Sequence, residues 1–421
     1  MRMKVTFISN ACASFESSEG TKILSDPWIK DGVFDGSWCH FHPLETELKD
    51  LQDVDAIYVS HVHPDHFDDR FFDFRKDIPI IVLDHGFNFL HKNLEKLGYK
   101  NLIKIKDNET KSFKDFKLTV FKPFSKHNFF EENTKVGNLI DSAIVFESDG
   151  QTVFNANDNS PNIEACKFLK ERFGKIDLAM MNYNNAGPYP SCFDNLSEEE
   201  KKDEHFLNLE RNINFLKENI KALKPKNFMP FAGAYVIGGK RSKKNDYLGT
   251  TTWDECAKRL KETKEIEANI ICLRENDTFD LTSCKSNREY KEIDVLKMKD
   301  YIESTLSKIE YPYEKDENPK LHTLQKDLEK SIELLKLRIK KINLKPDMTV
   351  SIFLDKKETF VCKPKSPKGK LECRLDSRLL KRILHKDSHW NNAEIGCHID
   401  FNRSPNYYSP DIHTMLQFLH L

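Results

Sequence analysis

Four residues that could bind a metal follow an apolar segment directly. Residues 56–60 have the continuous apolar character of a strand buried on both faces, and His61, His63, Asp65 and His66 come next. The loop at the carboxyl end of such a strand is where α/β folds place ligands. Imidazole and carboxylate groups together suit zinc, iron or manganese. The alternative is a polar loop whose histidines are coincidental.

The composition is that of a globular protein with more than one domain. A chain of 421 residues predicts two or three domains, and its 38% hydrophobic residues are enough to form substantial cores. The 66 Lys and Arg residues balance 67 Asp and Glu residues, so the global charge favours neither nucleic acid nor an anionic membrane as a partner. The sequence has no signal-peptide pattern and no apolar stretch of the roughly 18–20 residues that span a bilayer. Ten scattered cysteines without a C-x-x-C pair suit a reducing cytoplasm.

The pattern of predicted elements indicates an α/β fold with an additional domain. Residues 1–160 alternate short strands with occasional helices, which is typical of a layered α/β structure. A helix begins at a capping box in residues 197–200, and Pro225 ends it. Near residue 285 the composition becomes rich in Lys and Glu. We therefore predict a catalytic domain over residues 1–282, followed over residues 283–421 by a helical connector and a small α+β domain that contributes little to the chemistry.

The ligand-rich loop resembles a known superfamily signature. Its sequence matches the H-x-H-x-D-H motif of the metallo-β-lactamase superfamily, and residues 13–15 and 24–28 resemble the opening hairpin of that fold. The resemblance implies an αββα sandwich that binds one or two divalent metal ions.

The same resemblance implies further ligands on later loops. His127 fits the expected third histidine, with a surface histidine as the alternative, and Asp158 fits the bridging carboxylate, with a simple turn as the alternative. The last histidine of the superfamily is missing, because residues 229–233 read Met-Pro-Phe-Ala-Gly. The expected second metal position is therefore rich in carboxylate, and Asp65 and Asp158 are the expected catalytic groups.

Residues 50–250 also resemble a narrower family, the CMP-N-acetylneuraminate hydroxylases. The similar segments are residues 155–162, 178–190 and 221–235. The resemblance implies an iron-dependent hydroxylase of a nucleotide-activated sugar or a similar small anionic metabolite. The sequence lacks the paired Cys-x-His and Cys-x-x-His motifs of a Rieske cluster, so we expect no such cluster in this chain and a separate electron-donor protein or small reductant.

Two other functional classes remain open at this stage. One is a zinc-dependent hydrolase of a phosphoester, lactone or amide, in which Asp65 orients a metal-bound water. The other is a binding scaffold whose catalytic site has decayed.

Two groups of residues are candidate substrate contacts. Lys240, Arg241 and Lys244 follow a Gly-Gly pair, and such a basic loop could hold a phosphate or carboxylate. Tyr183, Asn184 and Tyr189 lie on a loop after a predicted strand. The alternative for the basic loop is a solvated surface.

Overall fold

The computed structural model describes residues 3–84, 86, 89–124, 140–355 and 357–421. The strands are β1 (Lys4–Ser9), β2 (Cys12–Glu16), β3 (Lys22–Ser25), β4 (Trp38–Cys39), β5 (Ala56–Tyr58), β6 (Ile80–Asp84), β7 (Leu102–Lys106), β8 (Glu109–Phe113), β9 (Phe116–Phe121), β10 (Ala143–Ser148), β11 (Gln151–Asn155), β12 (Leu178–Met181), β13 (Asn227–Pro230), β14 (Val236–Ile237), β15 (Asn269–Ile270), β16 (Thr278–Asp280), β17 (Lys285–Ser286), β18 (Thr349–Leu354), β19 (Lys357–Cys362), β20 (Lys370–Arg374) and β21 (Asp400–Ser404). The helices are α1 (Phe89–Lys96), α2 (Ile163–Phe173), α3 (Glu198–Leu223), α4 (Trp253–Glu262), α5 (Val295–Ser304), α6 (Leu321–Ile342), α7 (Ser377–His385), α8 (Trp390–Ile395) and α9 (Pro410–Leu416).

Two large sheets face each other. The first has the order β17-β16-β1-β2-β3-β5-β6-β7, and the second has the order β15-β13-β12-β11-β10-β9-β8. Between them lies an apolar core that includes Phe15 and Tyr58 from the first sheet and Phe146 and Met180 from the second. Helix α1 packs on the outside of the first sheet, and α2, α3 and α4 pack on the outside of the second. The predicted αββα sandwich is confirmed.

Helix α3 shows how local sequence fixes one of these layers. Ser197 accepts a hydrogen bond from the backbone N–H of Glu200, and the Glu200 carboxylate accepts one from the backbone N–H of Ser197. This reciprocal capping starts the helix where the sequence predicts it. The helix ends at Lys224, which adopts a left-handed conformation before Pro225. Its apolar stripe, which includes Ile213, Leu216 and Ile220, packs on the second sheet.

The C-terminal part forms a smaller sheet with helices. Its strand order is β19-β18-β20-β21, with β18 and β20 parallel and the other pairs antiparallel. The apolar core of this part is continuous with the sandwich, because Trp28, Phe34, Trp38 and Phe193 pack into it. The C-terminal part therefore shares a core with loops that follow strands of both sheets.

The sandwich extends beyond the predicted boundary after residue 282. Strand β17 pairs with β16 as an antiparallel edge of the first sheet, so the boundary falls inside a hairpin. Ile293 also packs in the core on the outside of the second sheet. Among the described residues, no helix combines the length and the apolar character needed to cross a bilayer.

Candidate metal centre

The ligand-rich loop leaves the first sheet at a carboxyl edge. Strand β5 lies between β3 and β6 and is parallel to both, and the loop follows it. The backbone N–H groups of His66 and Phe67 both donate to the carbonyl of His63, at 3.0 and 2.8 Å. This tight turn folds the loop back on itself, so that its imidazole and carboxylate groups point to a common region.

Two groups of ligand atoms converge there. The atoms of His61, His63 and Asp158 all lie within 4.8 Å of one another, and so do those of Asp65, His66 and Asp158. In the first group His61 Nε2 lies 2.9 Å from His63 Nδ1 and 4.0 Å from Asp158 Oδ2. In the second group His66 Nε2 lies 3.3 Å from Asp65 Oδ2 and 3.5 Å from Asp158 Oδ2. Asp158 thus lies between two adjacent positions, as a bridging carboxylate would.

Residues that follow the neighbouring strands form hydrogen bonds with the ligand side chains. Asp26 directly follows β3; it accepts a hydrogen bond from the backbone N–H of Ser60 at 2.7 Å and lies 3.1 Å from His66 Nδ1. Asp158 follows β11 and Asn182 follows the parallel strand β12, so the Asn182 amide can donate to Asp158 Oδ1 at 3.0 Å. Such outer contacts hold ligands in place and fix which imidazole nitrogen faces a metal.

Asn10 supports the second position from the opposite side. Its amide donates to Asp65 Oδ2 at 3.2 Å, and its carbonyl oxygen accepts from the backbone N–H of Ala234 at 3.0 Å. Ala234 directly follows residues 229–233, the segment in which the superfamily histidine is missing. The Asn10 side chain therefore links the residue after that segment to Asp65.

The electrostatics of the site follow from burial and crowding. Burial lowers the pKa of His61 well below its usual value, and His66 and His63 lower it further. Burial alone would lower the pKa of His66, but Asp65, Asp158 and Asp26 raise it well above its usual value. His61 is therefore a neutral imidazole, the form that binds metals.

The site fits a divalent cation. His66 Nε2 is fully buried and makes no hydrogen bond within the described part of the chain, which is rare for a buried polar atom. It faces the carboxylates of Asp65 and Asp158 instead. A cation between these groups would satisfy the nitrogen and balance the charge of the carboxylates.

Sequence reasoning missed several residues of this site. Asp141, which is almost completely buried, places Oδ1 at 3.7 Å from His61 Nε2, and no motif marks it. Asp26 lies in a segment that is recognisable only as part of the opening hairpin. Asn10 has no sequence signal. His127, the predicted third histidine, lies outside the described residues.

The three basic side chains that are predicted to bind an anion each pair with carboxylates of the protein, and anion binding by this loop stays a prediction. Arg241 forms a bidentate ion pair with Asp400 at 2.6 Å for both contacts, and Lys244 lies 2.9 Å from the same carboxylate. Lys240 lies 3.0 Å from Glu314 and 3.3 Å from Asp376. Their carboxylate partners belong to the C-terminal part of the chain, so these side chains connect the two parts. The sequence of the loop cannot reveal partners that lie so far along the chain.

The predicted aromatic and amide contacts are also engaged by the protein. Tyr183 is buried in the core outside the second sheet. The Asn184 amide donates to the carbonyls of Gly233 and Thr251, at 2.7 Å each. Tyr189 packs edge-on against Phe193 and accepts a hydrogen bond from Asn406. These contacts hold all three side chains within the fold, and their contact with substrate stays a prediction.

A family model matches the part of the chain that contains the ligand loop. Residues 21–206 match the family model of the Beta-lactamase superfamily domain, so the chain carries a metallo-β-lactamase-fold domain, which implies binding of a divalent metal. The structure of isothiocyanate hydrolase from Delia radicum gut bacteria has a similar fold. The match spans 66% of this chain and 98% of the hydrolase chain, with a TM-score of 0.47 and 19% sequence identity.

Two sequence relatives are named as an iron-sulfur protein and as a hydroxylase. A Mycolicibacterium smegmatis protein, provisionally described as a Rieske 2Fe-2S iron-sulfur protein, is 34% identical over 199 residues, which is 46% of this chain and 36% of that protein. The cytidine monophosphate-N-acetylneuraminic acid hydroxylase of Danio rerio is 25% identical over 245 residues, which is 55% of this chain and 38% of that enzyme. The chain thus matches less than two fifths of the length of these curated relatives, and the predicted resemblance to the hydroxylase family is confirmed.

Proposed function

We propose that this chain is a hydroxylase that uses iron and dioxygen and acts on a nucleotide-activated sugar or a similar anionic metabolite. The observation that carries the proposal is the donor set that the described residues bring to the first position, namely two imidazoles and one carboxylate from His61, His63 and Asp158; the predicted ligand His127 lies outside those residues. That combination is typical of non-haem iron oxygenases.

The second position supports the same assignment. It offers two carboxylates and one imidazole, from Asp65, Asp158 and His66, and Asp141 adds another carboxylate next to His61. Oxygen-rich donor sets favour harder cations than the sulfur- and nitrogen-rich sets of many zinc sites. Iron held in such a set supplies the activation of dioxygen.

The residues of the chain hold and orient the reacting groups. Asp26 fixes His66 through Nδ1, Asn182 fixes Asp158 through Oδ1, and Asn10 fixes Asp65 through Oδ2. These contacts restrict each ligand to one orientation. Preorganised ligands of this kind need no rearrangement when substrate binds.

The proposed reaction requires an external reductant. Hydroxylation inserts one oxygen atom of dioxygen into a C–H bond and reduces the other to water, which consumes two electrons and two protons. We propose that a separate electron-donor protein supplies the electrons. The substrate class rests on one relative, which is named for hydroxylating a cytidine monophosphate sugar.

Metal analysis separates this proposal from its alternative. Protein purified without oxygen should contain iron, and the reduced protein should consume dioxygen when a nucleotide-activated sialic acid is added. A zinc-loaded protein that hydrolyses phosphoesters, lactones or amides and consumes no dioxygen would overturn the proposal and establish the hydrolase alternative. The test should include an artificial electron donor, so that the absence of the natural one does not hide activity.

A further inference from the structure

The C-terminal part of the chain reaches the metal centre through helix α8. The side chain of Asn391 places Oδ1 at 3.2 Å from Nε2 of His63, although the two residues are 328 positions apart in the sequence. Contact between a ligand loop of the sandwich and the last quarter of the chain is not expected for a domain that contributes little to the chemistry.

Helix α8 is firmly anchored where it makes this contact. Trp390 and Ala393 are completely buried in the core of the C-terminal part. Just before the helix, Ser388 donates a hydrogen bond to Asp35 at 2.8 Å, and just after it, His398 Nε2 lies 2.9 Å from the carbonyl of Phe34. The ring of Phe34 in turn lies 6.3 Å from that of His63. The position of Asn391 is therefore fixed relative to the sandwich.

The chemistry of imidazole gives this contact a role. A neutral imidazole carries one proton, and the nitrogen without it is the one that can bind a metal. His63 directs Nδ1 towards His61 Nε2, at 2.9 Å, which is the side of the first metal position. With Nδ1 bound to a metal, the proton of His63 sits on Nε2, and Nε2–H can donate to the carbonyl oxygen of Asn391.

We propose that Asn391 is a positioning residue that keeps His63 in the tautomer whose Nδ1 is free to bind metal. The proposal rests on the proposed role of His63 as a metal ligand. Asn391 touches neither metal nor substrate in this arrangement. It acts by accepting the Nε2 proton and by fixing the plane of the ring, as outer-shell partners of metal-binding histidines do.

The reverse orientation of the amide would have the opposite effect. If Asn391 turned its NH2 group towards His63, Nε2 would have to accept a hydrogen bond and the proton would move to Nδ1. That tautomer cannot bind a metal through Nδ1. A side chain at position 391 is therefore useful to the site only as an acceptor.

Substitutions at position 391 test whether this side chain supports metal binding by His63. Asn391→Ala should weaken metal binding by about 10–100-fold in competition with a chelator, the range for loss of an outer-shell partner. Asn391→Asp keeps an acceptor and should bind metal at least as tightly as the natural chain. Asn392→Ala is the matched control, because it changes the next residue of the same helix, whose side chain makes no hydrogen bond with a described residue.

Nitrogen NMR can report which ring nitrogen of His63 carries the proton. In the zinc-loaded protein, nitrogen NMR should show the His63 proton on Nε2 and protected from exchange, and Asn391→Ala should lose that protection. His63→Ala serves as the reference, since it should lose metal more completely than any variant at position 391. Full metal occupancy in His63→Ala would refute the ligand assignment. Loss of metal in His63→Ala together with unchanged affinity in Asn391→Ala would refute only the role of Asn391.

Discussion

Two loops of this molecule carry a high density of ionisable side chains and use it differently. The loop of residues 61–66 brings three imidazoles and a carboxylate together around Asp158, and His66 Nε2 has no hydrogen-bond partner among the described residues. The loop of residues 239–247 also carries several charges, but Arg241 and Lys244 both form ion pairs with Asp400.

The difference lies in whether the protein itself compensates the charge. Burying a polar or charged group costs free energy unless a partner satisfies it. Where the fold provides partners, as in the second loop, the charges stabilise a junction. In the first loop the fold gathers imidazoles and carboxylates and leaves His66 Nε2 without a hydrogen-bond partner among the described residues. We expect a bound metal cation to be that partner.

The largest expected effect comes from removing the shared carboxylate of the first loop's site. Asp158→Asn changes a group common to both sets of ligands, so both metal positions should weaken by more than about 100-fold, beyond the range of outer-shell changes. Asp65→Asn changes the second set alone and should leave the first position occupied. Metal content per chain, measured after gel filtration, distinguishes the two variants.

The control for this pair is an aspartate outside the centre. Asp194 is exposed, and Asp194→Asn should keep the metal content of the natural chain. Equal metal loss in Asp65→Asn and Asp158→Asn would contradict the bridging position of Asp158. It would indicate a single metal position that uses both carboxylates.

The same comparison explains what the sequence can and cannot predict. The ligand loop and helix α3 are set by neighbouring residues, namely a buried strand followed by a ligand-rich motif and a capping box followed by an apolar stripe, and such local patterns are readable. The contacts of Asn391 with His63 and of Arg241 with Asp400 join residues 328 and 159 positions apart. Neither partner carries a local signal, because only the folded chain brings them together.

The second loop should respond to substitution through stability rather than metal content. Arg241 also donates from Nε to the carbonyl of Cys397 at 2.7 Å, so Arg241→Ala removes the donor to that carbonyl and leaves the Asp400 carboxylate with Lys244 as its ion-pair partner. The free energy of unfolding should fall by about 2–4 kcal/mol, somewhat less than for a fully buried pair. Urea unfolding followed by fluorescence measures this change, and metal content should stay the same.

Two further variants isolate the ion pair. Lys243 is exposed and makes no ion pair with a described residue, so Lys243→Ala removes a charge from the same loop with little effect on stability. Arg241→Ala combined with Asp400→Asn removes both members of the pair, and its loss of stability should be smaller than the sum of the two single losses. A large rise in KM for an anionic substrate without loss of stability in Arg241→Ala would instead support anion binding by this loop.

Asp35 provides an intermediate case and the smallest expected effect. It lies at the same junction as Arg241, but its direct partner is the hydroxyl of Ser388 rather than a cation. Burial raises the pKa of Asp35 to about 6, although the hydrogen bond from Ser388 and the charges of Arg382 and Arg70 lower it. Between the ordinary aspartate pKa and this raised value, the folded chain holds a proton that the unfolded chain has released.

The sign of the effect follows from that proton. Because the folded state binds more protons in this window, Asp35 makes the free energy of unfolding decrease as the pH rises from about 4 to about 6. Above the window the ionised carboxylate destabilises the fold by about 1–2 kcal/mol, less than the full pKa shift implies because the side chain is partly exposed. Asp35→Asn should therefore be more stable than the natural chain at neutral pH and lose this advantage near pH 4. The measurement is the free energy of unfolding of both proteins in urea at pH 4 and at neutral pH. The contributions of the other titrating groups cancel in the difference between the two proteins. A difference that is the same at both pH values would show that Asp35 already has a sufficient partner.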